Sequence, residues 1–296
     1  MSQFAAAYFS MWVWLAPLVV CVGIGVAWGR CGQPFATDFV SKLVTYVAIP
    51  ALVFHTLMVS PLTVGDVFEV LVWSTAALLV AGVLAAWLLR LLKLSGRDLG
   101  QTAWIPNAGN LGLPMAELAF GLEGLTVAIA FFTVSSLLSF TLGLRWLTGS
   151  MGQVWRQPVV WAVLAGLALR AADVTLPQWP VDSAHLVGSL AVPLMLLTLG
   201  YSLVGLPRSG LTQGAGVALV RYGSGLMAAL LLWLALPEFR IFAPIALQLL
   251  MPCAVNSYLF ARLHGRAGDV AAGAVLISTL AFLVFAPALL WFSQAV

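Results

Sequence analysis

The sequence predicts an all-α polytopic membrane protein. Ten transmembrane helices form two inverted five-helix repeats, and the broken fourth and ninth helices cross at the membrane midplane. Three observations carry that expectation: the composition, the placement of the basic residues, and a self-similarity at half the chain length. Of 296 residues, 62% are hydrophobic and 8% are charged. A soluble domain is about a quarter charged, so a chain this poor in charge has lipid as its main solvent. The net charge of +3 is too small to suggest a nucleic-acid partner.

A spanning helix needs about 20 mostly apolar residues. The segments that qualify are, in order, 8–28, 38–58, 66–89, 100–120, 124–147, 157–172, 183–204, 212–235, 242–262 and 269–292. No Lys or Arg precedes Arg30, so the first span lacks the basic region of a cleaved signal peptide and is expected to be retained. The glycines of "GIGVAWG" (23–29) lie in that apolar span and read as helix packing. Connections between spans are short, with no soluble domain or long linker. The three cysteines, Cys21, Cys31 and Cys253, have neither CxxC spacing nor a nearby His, so neither a disulfide framework nor a metal site is expected.

Orientation follows from the basic residues. With the N-terminus outside, the inner connections and their flanks carry Arg30, Lys42, Arg90, Lys93, Arg97, Arg145, Arg156, Arg208, Arg221, Arg262 and Arg266; only Arg170 and Arg240 fall outside. Positive residues favour the cytoplasmic side, and both termini are expected outside.

The repeat sets residues 1–150 against 151–296. "LVTYVAIPALV" (43–53) in span two answers "LVGSLAVPLML" (186–196) in span seven. "PNAGN" (106–110) in span four answers "PCAVN" (252–256) in span nine. Five spans is an odd number, so the second half enters the membrane from the opposite face, as in many secondary transporters. Proline removes a backbone donor and glycine frees the backbone from helical geometry. The stretch "IPNAGNLGLPMAELAFG" (105–121) is therefore a broken helix, and "MPCAVNSY" (251–258) is its partner. Breaks expose amides at the start of each second half, where partial positive charge suits an anion. Asn107, Asn110 and Asn256 add side-chain amides. Gly112 and Pro114 have no counterpart in span nine, where Tyr258 and Phe260 take the matching places.

The chain resembles the auxin efflux carrier family, the bacterial relatives of the plant auxin exporters. The similar pieces are "YVAIPALVF" (46–54), "GNLGLP" (109–114), "AVPLMLLTLGYSL" (191–203), "PCAVNSYLFARLHG" (252–265) and "STLAFL" (278–283). The resemblance implies a fold of the bile-acid and sodium/proton transporter type. Spans one, two, six and seven would be a scaffold; spans three to five and eight to ten would be a moving transport domain. It implies substrates that are small organic anions, a site in the bacterial cytoplasmic membrane, and crossover roles for Asn110, Pro114, Pro252 and Asn256.

Other polar residues admit two roles each. Glu117 is a candidate proton or sodium carrier or an outer-interface residue. His55 is a candidate titrating group or a packing histidine. Gln101 and Gln248 line the path or bond between helices. Arg221 is expected to snorkel to the cytoplasmic surface rather than neutralise a bound anion. No nucleotide-binding, metalloprotease or hydrolase motif is present, so no enzyme and no cofactor are expected. The function read here is a secondary transporter of a small organic anion such as a carboxylate, with proton or sodium as candidate coupling ions and a homodimer as a candidate assembly. The alternatives are a sodium-coupled organic-solute symporter, a membrane ligand sensor and an intramembrane enzyme.

Overall fold

The computed structural model describes residues 2–150, 154–236 and 239–295. Among them the chain is helical throughout and carries no strand beyond one isolated bridge. We number the helices α1 (Ser2–Arg30), α2 (Thr37–Val59), α3 (Val64–Leu91), α4 (Gly96–Trp104), α5 (Ala108–Thr148), α6 (Pro158–Ala171), α7 (Gln178–Val204), α8 (Leu211–Ala235), α9 (Phe239–Leu249), α10 (Val255–Leu263) and α11 (Gly268–Ala295). Six of them, namely α2, α3, α5, α7, α8 and α11, are long and apolar enough to cross a membrane.

The sequence divides the chain less finely. Span four becomes α4 and the start of α5, and span nine becomes α9 and α10, because the proline-bearing segments 105–107 and 250–254 leave helical geometry. Helix α5 also takes in span five. It passes through Gly121, whose φ of 62° and ψ of −148° break the helix there; glycine reaches that conformation at no steric cost. Helix α3 starts with a reciprocal cap, in which Thr63 Oγ1 accepts from the Asp66 amide and the Asp66 carboxylate accepts from the Thr63 amide. Such a capping box satisfies two otherwise orphaned donors.

Packing is densest within two groups of helices, which also touch where α1 lies against α11. Helix α1 lies along α7, and α2 packs on α6 and α7. In the other group α8 packs on α3 and α11, α5 packs on α3 and α9, and α10 packs on α11. The glycines of α1 allow the close approach to α7: a Cβ at Gly25 would stand 2.2 Å from the Leu197 carbonyl oxygen, while one at Gly23 would meet nothing within 4 Å. Cys253 is buried and Cys31 exposed, and no disulfide forms among the described residues.

Candidate substrate site

The two interruptions meet. Pro106 and Cys253 form an antiparallel bridge. The Asn107 amide donates to the Pro252 carbonyl at 2.7 Å and the Ala254 amide to the Ile105 carbonyl at 3.2 Å. These bonds satisfy backbone groups that the breaks release, which would otherwise be costly in an apolar interior. On one side of the meeting point α4 and α9 end, at Trp104 and Leu249. On the other side α5 and α10 begin, at Ala108 and Val255. The first amides of a helix have no intrahelical acceptor, so two sets of free donors start at one place.

A cavity of about 210 Å³ lies against those two helix starts. Asn107, Asn110 and Asn256 line it, together with Pro106, Gly109 and Ala254. Asn256 is exposed there, Asn110 is half-buried and Asn107 is buried. The Asn107 Nδ2 has no hydrogen-bond partner among the described residues. Hydroxyls complete the polar wall: Ser41 and Thr45 from α2, Ser135 and Ser139 from α5, Thr198 and Ser202 from α7. Each pair is spaced i, i+4, which places both members on one helix face. Phe132, Phe140 and Phe260 supply the apolar wall, and the last two meet edge to face at 5.4 Å between ring centres. Among the described residues not one that lines the cavity is ionisable. Thr37, Ser41, Gln157 and Pro158 in the lining put the mouth beside the ends that carry Arg30, Lys42 and Arg156.

The remaining candidates lie elsewhere. Gly112, Pro114 and Pro252 are buried beside the meeting point but outside the lining. Gln248 is fully buried, and its Nε2 donates to the Gly112 carbonyl at 2.7 Å. Gln101 donates to Ser139 Oγ at 3.1 Å. Both glutamines tie helices together, and neither lines the cavity. Glu117 is exposed, on the part of α5 leading to Gly121, away from the cavity. His55 packs against His185 at 4.6 Å between ring centres.

Arg221 requires a correction. It does not snorkel: it sits 0% exposed inside α8. The two terminal nitrogens of its guanidinium donate to the carbonyls of Trp104 and Leu249, one at the end of each interrupted helix. It lies 10 residues beyond Leu211, about 15 Å along the axis at about 1.5 Å per residue, too far for its head group to reach water while these carbonyls are at hand.

The chain is similar to known transport proteins. Residues 150–290 match the family model described as membrane transport protein. The chain is also 28% identical over 276 residues to an uncharacterized transporter of Methanothermobacter thermautotrophicus, a match that covers 89% of this chain and 90% of that protein. With six helices long and apolar enough to span a bilayer, it is an integral membrane protein. The second half of the chain is thus similar to membrane transport proteins, and nearly the whole chain is similar to one uncharacterized transporter.

Proposed function

We propose that the protein is a secondary transporter that moves a small, singly charged organic anion by alternating access. The observation that carries this reading is the cavity: two helix N-termini and three asparagines converge on a wall that, among the described residues, has no ionisable side chain. Each helix N-terminus is worth about half an elementary charge, so the pair balances about one negative charge. A second carboxylate would find no counter-charge, and an unpaired charge removed from water costs several kcal/mol.

The packing supports a moving part. One side of the cavity comes from α2 and α7, the other from α5, α10 and the bridged segments. These belong to the two packing groups described above, so sliding one group past the other would move the site. In this reading α1, α2, α6 and α7 form the scaffold. The ten-pass arrangement follows if α4 with α5 up to Gly121, the rest of α5, and α9 with α10 each count as one crossing. The bridge then lies at the midplane, both termini lie outside, and the cavity opens to the cytoplasm. A sodium-coupled symporter on the same frame is the second reading, separated from the first by whether sodium is needed for binding.

Equilibrium binding to purified protein at neutral pH tests the anion class. Benzoate and butyrate are expected to bind saturably, and malonate and succinate at least about tenfold more weakly, a difference of about 1.4 kcal/mol. Equal or tighter binding of the dicarboxylates overturns the single-charge assignment. Binding of neither class overturns the anion reading.

A further inference from the structure

We propose that Arg221 is a built-in cation of the crossing. It stands where a small coupling cation would otherwise be held, and makes the crossing independent of sodium. The inference rests on the reading that the crossing is the transport centre.

The argument starts from a charge with no ionic partner. Arg221 is wholly buried, and no carboxylate pairs with it among the described residues. A buried, unpaired guanidinium is costly. What faces it are the ends of two helices, through the carbonyls of Trp104 and Leu249. Each helix C-terminus carries about half a negative charge. Two ends sum to about one, which is the charge of one guanidinium. Converging carbonyl oxygens without a side-chain cation are the ligands that a hard cation takes. Here the fork of an arginine, whose donors sit in fixed directions, engages both ends together.

The neighbours hold the fork in place. Trp104 is anchored by its own ring, which donates to the Leu78 carbonyl at 2.6 Å and lies over Gly82, where a Cβ would stand 2.8 Å from the ring. A Cβ at Gly225 would come within 2.2 Å of the Leu249 oxygen and 2.6 Å of the Arg221 fork, so glycine at that position leaves room for the pairing. Arg221 is not one of the residues that line the cavity. It is a positioning residue: by holding the two helix ends, it holds the two helix starts that follow them across the bridge.

Melting of the detergent-solubilised protein, with guanidinium at 1–20 mM as the probe, tests this without any substrate. Wild type is expected to melt at the same temperature in sodium and in choline at constant ionic strength, and to ignore guanidinium in that range. Arg221→Ala removes the fork and leaves a space walled by two carbonyl ends. It is expected to melt lower and to recover saturably with guanidinium but not with choline. Arg221→Met fills the space without charge and is expected to stay destabilised and unresponsive. A wild-type melting temperature that needs sodium overturns the proposal. So does Arg221→Met as stable as wild type, or Arg221→Ala that guanidinium does not rescue. If Arg221→Ala cannot be purified, Arg221→Lys against Arg221→Met decides: lysine melting higher supports the charge role, and methionine equal or higher overturns it. Because no carboxylate is used, failure of the anion reading leaves this result intact. A failed rescue beside normal carboxylate binding sinks this proposal alone.

Discussion

Asn110→Ala and Asn256→Ala are each expected to weaken monocarboxylate binding about ten- to a hundredfold while the melting temperature changes little. A hydrogen bond to a charged group is worth about 1.5–3 kcal/mol, which is that range of affinity. Both side chains line the cavity, and among the described residues neither makes a hydrogen bond to another residue. An amide that props no backbone can be removed without loosening the fold. Leu111→Ala provides the opposite behaviour. Leu111 is 3% exposed, and truncating a buried leucine costs about 2–5 kcal/mol, so that variant should melt lower and bind normally if it folds. Equilibrium binding on monodisperse protein reads both effects. Asparagine variants with wild-type affinity would remove these residues from the substrate site, and asparagine variants that melt early would make them struts of the crossing.

The second large effect is one of stability. Gly25→Ala should lower the melting temperature sharply, and Gly23→Ala, two residues away, should leave it unmoved. The new Cβ at position 25 would stand 2.2 Å from the Leu197 oxygen and 2.9 Å from the Tyr201 nitrogen, both backbone atoms of α7, whereas position 23 is open. Side chains can turn aside, but two helix backbones must separate. Overpacking of this kind costs about 1–3 kcal/mol and sometimes more. Gly200 makes the reciprocal contact, its Cβ position lying 2.0 Å from the Val22 oxygen, so Gly200→Ala should behave as Gly25→Ala does. Equal melting of the position-23 and position-25 variants would show that α1 and α7 do not meet in this way.

These residues mark what was legible in the sequence. The interruptions could be read because proline and glycine act locally, and the asparagines because amides are rare in apolar spans. The glycines of 23–29 were legible as packing, though not which of them packs. The hydroxyl pairs of α2, α5 and α7 were present as an i, i+4 pattern of Ser and Thr, but each pair alone is ordinary in a membrane helix, and only the fold turns three of them towards one cavity. Arg221 was misread for a related reason. In the sequence it stands with the basic residues of the inner flanks, as a snorkelling arginine would, while its partners lie 117 and 28 residues away. Gln248 likewise finds Gly112 across 136 residues. Partners that remote exist only after the chain has folded.

The bridge between the breaks is mended differently on its two sides. In the Pro106–Cys253 pair the bonded amides belong to the following residues, Asn107 and Ala254. Residues 106 and 253 therefore have amide positions that point away from each other. Proline has no N–H, so position 106 leaves no donor to satisfy. Cys253 does have one, and it goes to Ser278 Oγ of α11 at 3.0 Å. Pro106 is thus a self-sufficient residue, and Cys253 one that depends on another helix. Ser278→Ala should orphan a buried amide at a cost of about 1–3 kcal/mol, and the same change should cost almost nothing in a Cys253→Pro background, as a comparison of melting temperatures would show. The freedom of position 278 to vary is then set by a residue 25 positions earlier, and a proline at position 253 would release a serine that Pro106 never required.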